Sequence, residues 1–374
     1  MMAAPAPQEF FRLNRNTSEV KAEILRQFLP TWYRIQVGAS SLKPTVIADL
    51  LAGLELQETQ TEDGLWQLLS HYLPSASPES TLRLFLGASS KPELEVLKKQ
   101  QVVLASEGEP DHPPLLLHEP ETQQALIELL MQASPALLVS DPFASPQAQQ
   151  LLLESFTAPA ADLLLLLQPK KLRTAVTAKK TATTASAIFG SRWGNVQAFC
   201  HKEKHPQRQE AFLVSTLEEV LQQHGYLTLH FRADAPDKEQ TSLLVLLATK
   251  TAEVYKACKV QLLPYSDYQQ DGVPLFGANL KQLQQLSLFP EQLKFSVQKL
   301  AEDLSKKANL YNYKTIEKVA EDHHTGTPYI PENYRMAFEK LRDQGLVEIL
   351  NPKTLQTVRK ATLASPVKYK TRTS

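Results

Sequence analysis

The chain has 374 residues, 43% of them hydrophobic and 21% charged, and its 40 basic and 40 acidic side chains cancel. That length calls for two or three domains, and the aliphatic content excludes a largely disordered or collagen-like protein. Two cysteines, Cys200 and Cys258, exclude a disulfide scaffold and a four-thiolate zinc site, and together with an N-terminus that lacks an apolar signal core they predict a cytoplasmic protein.

Residues 1–43 read as a helical lead-in, with one helix over 18–35. From 44 onward, strand-like runs (45–52, 81–86, 101–105, 136–140, 162–168, 226–232 and 242–249) alternate with helix-like runs. Five strands each followed by a helix, then two joined by a short polar turn at 234–237, predict a Rossmann-like α/β sheet of the class I methyltransferase type over 44–270. The most apolar run, 160–167, contains Asp162 and is too short to cross a bilayer, so it reads as a buried strand and no membrane association is expected. Residues 170–186 are rich in Ala, Thr and Lys and lie in a basic insert, 168–208. A Gly- and Pro-containing linker over 271–290 leads to helices at 291–307, 314–321 and 331–344. A strand at 346–350 and a returning strand at 354–360 then complete a winged-helix domain over 291–360. The remainder, 361–374, reads as a basic flexible tail.

Charge is segregated along the chain. Residues 44–167 carry a net −13, the insert 168–208 carries +8, the segment 291–374 carries +5, and no acid follows Asn351. A phosphate backbone would be repelled by the first of these and attracted by the others. The candidate nucleic-acid contacts are therefore Lys170, Lys171, Arg173, Lys179, Lys180 and Arg192 in the insert. Asn333, Arg335 and Lys340 on the third winged helix, and Lys353, Arg359 and Lys360 on or beside the wing, complete the set. A recognition helix would use Asn or Arg on base edges while wing cations hold phosphates. The alternatives are that acidic and basic surfaces face each other, and that the winged helix, diluted by Glu332, Glu339 and Asp343, contacts protein instead.

The segment from Glu19 to Trp32 (EVKAEILRQFLPTW), then IADLLAG at 47–53, DPF at 141–143, IFG at 188–190 followed by Trp193, LLATK at 246–250 and TPYIPENYRMAFEKLRDQGLVEI near the C-terminus resemble, in that order, the three-Cys-motif partner proteins. The resemblance spans about residues 18–350. It implies a class I methyltransferase fold with a C-terminal winged helix and association with a radical-SAM-like protein whose three clustered cysteines belong to that partner. Members carry a stretch like Asp-Gly-Phe-Ala-Gly-Pro-Gly after the first strand; here it reads Asp49-Leu50-Leu51-Ala52-Gly53-Leu54-Glu55. Asp49, Ala52 and Gly53 match, so they are the remnant cofactor-binding candidates, while Leu50 and Glu55 replace glycines where a nucleotide-like cofactor needs close backbone approach. The turn after the second strand, residues 86–90, holds no acid to accept the ribose hydroxyls of S-adenosylmethionine. Cofactor binding is therefore expected to be weak or absent, with S-adenosylmethionine the cofactor if the enzyme is active.

Asp141, Pro142 and Phe143 stand where amino-methyltransferases hold and stack a target amine, and they are the catalytic candidates if the enzyme is active. Alternatively, Asp141 starts the next helix and Phe143 packs in the core. Cys200, His201, His205 and His224 fit no standard metal spacing and read as part of a solvated basic loop. His323 and His324 read as surface residues. Trp193, next to Arg192, is either a nucleic-acid contact or structural. No Ser-His-Asp arrangement, phosphate loop or kinase motif is visible. The sequence thus points to a catalytically degenerate, methyltransferase-like protein, a pseudoenzyme that binds DNA or RNA and acts with the radical-type partner. The alternatives are an active S-adenosylmethionine-dependent nucleobase methyltransferase and a protein-only adaptor.

Overall fold

The computed structural model describes residues 7–39, 43–59, 64–72, 82–107, 113–178, 182–234, 242–280 and 294–370. The chain divides into a sheet unit, Glu9–Leu262, and a second, mainly C-terminal unit made of Met1–Gln8 and Leu263–Ser374.

In the sheet unit, α1 (Pro7–Phe10) and α2 (Thr17–Ala39) precede β1 (Thr45–Asp49), α3 (Ala52–Thr59), α4 (Gly64–Ser70), β2 (Leu82–Leu86), α5 (Lys91–Glu107) and β3 (Leu115–Leu116). There follow α6 (Pro120–Met131), β4 (Ala136–Ser140), α7 (Pro146–Thr157), β5 (Ala161–Leu167), α8 (Pro169–Thr177), α9 (Ala182–Phe189), α10 (Trp193–Lys202), α11 (Pro206–Gln223), β6 (Leu227–Ala233), β7 (Leu243–Thr249) and α12 (Ala252–Leu262). The strand order is β3-β2-β1-β4-β5-β7-β6. β1 to β5 are parallel, and β7 runs antiparallel to both β5 and β6. This is the Rossmann-like arrangement of class I methyltransferases. β5 and β7 are buried at every position because helices cover both faces of the sheet, which is why they read as unbroken apolar runs rather than alternating ones. The order reverses at β1, whose carboxyl end meets those of β2 (Asp49 opposite Leu86) and β4 (Asp49 opposite Val139). A ligand of this fold would bind at that switch point.

The strand expected at 101–105 is the C-terminal part of α5, and β3 follows at Leu115–Leu116. Val102 and Val103 are exposed, so their β-branched character never meets a buried sheet position. The helical lead-in is not a separate segment. α2 lays one stripe, Lys21, Leu25, Phe28, Leu29, Trp32 and Gln36, into the sheet unit with each side chain buried, as the i, i+3, i+4 spacing of a helix dictates. The basic insert is largely helical and contributes to the core. Leu172, Val176, Ala185, Ile188, Phe189, Val196 and Cys200 turn the apolar faces of α8, α9 and α10 into the main core.

The C-terminal unit contains β8 (Gly277–Ala278), α13 (Val297–Lys306), α14 (Ala308–Tyr311), α15 (Ile316–His323), α16 (Pro331–Asp343), β9 (Val347–Ile349) and β10 (Val367–Tyr369). Ser296 caps α13 by accepting from the Lys299 amide at 3.1 Å, and Thr315 caps α15 through the Lys318 amide at 3.2 Å. Pro331 opens α16, and Gly345, at φ 74°, closes it. The wing differs from expectation. β9 pairs with Val367–Tyr369, so the second strand lies in the segment read as a flexible tail rather than at 354–360. The physical reason is burial: Ala361, Ser365 and Val367 are enclosed, whereas 352–357 are exposed and make only a single bridge, Leu350 to Thr357. Part of the linker belongs to this core as well, since Val273 is fully buried in it.

The sheet unit holds α2 through a buried acid. Asp162 on β5 accepts from the Trp32 indole Nε1 at 2.7 Å and from Gln36 Nε2 at 2.8 Å. Replacing Asp162 with Ala strands both donors in the interior. Asp162→Ala is expected to lower the unfolding free energy by about 2–4 kcal/mol in urea titrations, with Asp162→Asn less damaging because its carbonyl still accepts.

Candidate functional site

At the carboxyl end of β1 the chain packs charge where the fold would place a cofactor. The Asp49 carboxylate, fully enclosed, accepts from Lys21 Nζ at 2.6 Å, from the Tyr72 hydroxyl at 2.7 Å and from the Leu51 amide at 2.9 Å. Lys21 also pairs with Glu55, and Glu55 Oε1 lies 2.9 Å from His71 Nε2. Burial disfavours the Lys21 ammonium, yet Asp49 and Glu55 together hold its pKa above the ordinary lysine value. Burial likewise opposes ionisation of Glu55, but Lys21 and His71 bring it below the ordinary carboxylate value. Burial and then Asp49 push the Tyr72 hydroxyl well up, so it stays a donor. The lysine contribution to stability is lost only as pH rises through its raised folded pKa, and the Glu55 contribution only as pH falls through its lowered one. The cluster is therefore intact across the neutral range.

The two glycines of this corner face the chain itself. The Gly53 amide donates to the Gly87 carbonyl at 3.0 Å, and the Gly87 amide donates to the Asp49 carbonyl at 2.8 Å. A Cβ on Gly53 would stand 2.8 Å from Glu93 Cβ and 2.9 Å from Ala88 Cβ, and one on Gly87 would stand 3.1 Å from Leu50 Cα. Ala52 is buried beside them. Asp49, Ala52 and Gly53 are thus brought together as expected, but against protein. The turn at 86–90 has no acid of its own, yet α5 delivers one: Glu93 Oε2 accepts from the Ser89 amide at 2.7 Å, and Ser90 Oγ accepts the Glu93 amide. The Ser-x-x-Glu spacing of a capping box at 90–93 was the signal for it. Lys21, Tyr72, His71 and Glu93 are the residues that sequence reasoning missed.

Asp141, Pro142 and Phe143 follow β4. Asp141 does not start the next helix: Ser145 caps α7 through the Ala148 amide, while Asp141 Oδ1 accepts from the Phe143 amide at 3.0 Å. Burial pushes the Asp141 carboxyl up to about 6, against the Phe143 hydrogen bond and the Lys171 charge. Phe143 is half-buried on the core and stacks at 6.3 Å on Phe189, which in turn stacks at 6.5 Å on Trp193.

In the insert, Lys170 and Lys171 are exposed on α8, Arg173 is paired with Glu210 at 3.8 Å, and Arg192 with Glu219 at 3.3 Å. Lys179 and Lys180 lie outside the described residues. Cys200 is not on a solvated loop: it is buried on α10. His224 stacks on Phe156 at 4.1 Å. Among the described residues no group of three or more potential ligands is placed to hold a metal, and no helix is long and apolar enough to cross a membrane.

The winged helix corrects two further expectations. Asn333 is fully buried. Its Nδ2 donates to the Gly272 carbonyl at 2.9 Å and its Oδ1 accepts from the Ile330 amide at 2.9 Å, so it anchors the start of α16 and cannot read a base edge. His323 is not a surface residue: its side chain is 7% exposed. Its Nδ1 lies 2.8 Å from the Tyr334 hydroxyl and its Nε2 lies 2.7 Å from Asp303 Oδ2, tying α15 to α16 and α13. Arg335 is held by Glu332 and Glu339. Lys340, Lys353, Arg359 and Lys360, the other candidate contacts of this unit, are exposed.

Residues 278–354 match the family of GMT-like wHTH domains. No curated protein matches the chain. The molecule is a Rossmann-like α/β domain followed by a winged helix, an architecture that fits nucleic-acid binding.

Two outcomes follow from these sites. Lys21→Met leaves Asp49 and Glu55 enclosed without their cation and is expected to destabilise the protein by about 3–5 kcal/mol. Adding Asp49→Asn and Glu55→Gln should recover part of that loss, as read from the denaturation midpoint. For Asp141, the folded pKa lies above the unfolded one, so ionisation favours unfolding and its cost grows as pH rises from about 4 to about 6. Asp141→Asn should therefore raise the melting temperature at pH about 7, by the equivalent of up to about 3 kcal/mol, and leave it unchanged near pH 4.

Proposed function

We propose that this protein is a methyltransferase-like, nucleic-acid-binding partner protein whose donor crevice is closed, and that it presents its nucleic acid to a separate radical-type enzyme, as the three-Cys-motif partner proteins it resembles would. The observation that carries the reading is the backbone pairing of Gly53 with Gly87, with Ala88 and Glu93 packed against Gly53. S-adenosylmethionine does not fit residues arranged in this way. Its pyrophosphate-free but nucleotide-like body needs open space beside the glycine turn, which here is taken by Leu50, Ala88 and Glu93. The Glu93 carboxylate that could accept ribose hydroxyls is committed to the Ser89 amide, and the Lys21 ammonium compensates the acid at the end of β1.

What the chain itself would do is bind and position. Lys340, Lys353, Arg359 and Lys360 would neutralise phosphates on a duplex entered by α16, and Lys170 and Lys171 on the insert would by themselves attract phosphates. With Asn333 buried, base reading by α16 would be sparse, so affinity would come chiefly from the backbone. One observation favours the active methyltransferase instead: Asp141, raised to about 6 beside the half-buried Phe143 ring, is suited to an amine-bearing base.

Calorimetric titration with S-adenosylmethionine and a salt series of duplex DNA binding test the two readings on one sample. The proposal expects no saturable heat from S-adenosylmethionine, together with duplex binding whose salt slope falls by about 1 for each of Lys340→Ala and Lys353→Ala. Donor binding with a dissociation constant in the micromolar range would overturn it in favour of the active enzyme. The absence of any salt-dependent binding to DNA or RNA would leave the protein-only adaptor.

A further inference from the structure

α10 and α11 enclose a groove of about 430 Å³ on the sheet unit. We infer that it binds one unpaired nucleotide of a single strand, the base extending the Phe199–Phe212 ring pair and the phosphate held by Lys202 and Arg192; this rests on the nucleic-acid reading above.

The groove is built by helical spacing. On α10, Val196 and Cys200 face the core, so Asn195, Phe199 and Lys202 form the opposite stripe and, with Arg192 immediately before the helix, line the groove. α11 contributes Phe212, Thr216 and Glu219 at i, i+4 and i+7. The Phe199 and Phe212 rings stack with centroids 3.9 Å apart at 18°, a flat aromatic wall of the kind on which bases stack irrespective of sequence. The volume is in the range of small-ligand sites and takes one nucleotide rather than a duplex edge.

Charge distinguishes a nucleotide from an acidic peptide. The insert that carries α10 is strongly basic, but Glu219 stands at the groove rim, bonded at 3.3 Å to Arg192. That pair is 38% and 48% exposed, so it is weakly held and a phosphate can take the guanidinium from it at little cost. The freed Glu219 carboxylate can accept from the exocyclic amine of adenine or cytosine, a donor that an acidic side chain does not offer. Asn195 can both donate to and accept from a base edge. The Thr216 hydroxyl is already bonded to the Phe212 carbonyl at 2.8 Å and takes no part. In a duplex the base faces are stacked on one another and cannot reach the ring pair, so the ligand is single-stranded.

The test is fluorescence anisotropy of the full chain with short labelled single strands of adenine, cytosine and thymine, alongside a labelled duplex. Single strands are expected to bind, adenine and cytosine ahead of thymine. Phe199→Leu should weaken them by about 5- to 100-fold and Lys202→Gln should lower their salt slope by about 1, with duplex binding and the melting temperature unchanged. If Phe199→Leu fails to fold, the exposed variants Lys202→Gln and Asn195→Ala carry the comparison. Duplex binding without single-strand binding would overturn the groove while sparing the nucleic-acid reading. Loss of both would end the two together. Single-strand affinity indifferent to all three substitutions, or displacement of the strand by polyglutamate at equal charge, would also overturn it.

Discussion

The sheet unit turns on one ammonium group. Lys21, carried by α2, sits between the carboxylates of Asp49 and Glu55 at the carboxyl end of β1, with almost no access to solvent. Taking these charges out of water costs several kcal/mol per ion, and the cost is offset only because the pairing is close and the remaining lone pairs accept from Tyr72, His71 and a backbone amide. The Trp32 and Gln36 bonds to Asp162 hold the same helix three and four turns further along. α2 is thus tied to the sheet at both ends, through Lys21 to Asp49 and Glu55 and through Trp32 and Gln36 to Asp162.

This changes what the glycines at this corner mean. In an open site a glycine after β1 makes room for a nucleotide. At Gly53 the room is used by Ala88 and Glu93, and at Gly87 by Leu50. The missing Cβ atoms let two loops bond backbone to backbone. At this corner, residue types that would open a site in another chain serve packing. In the C-terminal unit the Asp303, His323 and Tyr334 bonds join three helices.

Much of the architecture was legible because its signals are local. The unbroken apolar runs of β5 and β7, and Pro331 and Gly345 around α16, follow from the periodicity and φ restrictions of a few neighbouring residues; the turn expected at 234–237 lies, apart from Asp234, outside the described residues. The wing was misplaced because Thr354 to Lys360 has strand-forming residue types but makes only the Leu350–Thr357 bridge, while Val367 pairs with Ile349 across seventeen intervening positions. Asn333 and His323 looked like surface groups by type alone, and only their partners Gly272, Asp303 and Tyr334 made them structural.

The amino-acid sequence by itself determined the alternation of strands and helices, the winged helix, the segregation of charge, and the substitution of Leu50 and Glu55 for small residues after β1, since each of these is a property of short segments. Only the tertiary structure decided that Lys21 answers Asp49 and Glu55, that Glu93 reaches the β2 turn, and that Phe199 and Phe212 share a groove. Those pairings join residues far apart or on different elements, and which of them meet depends on the order in which the strands assemble and the face each helix lays on the sheet.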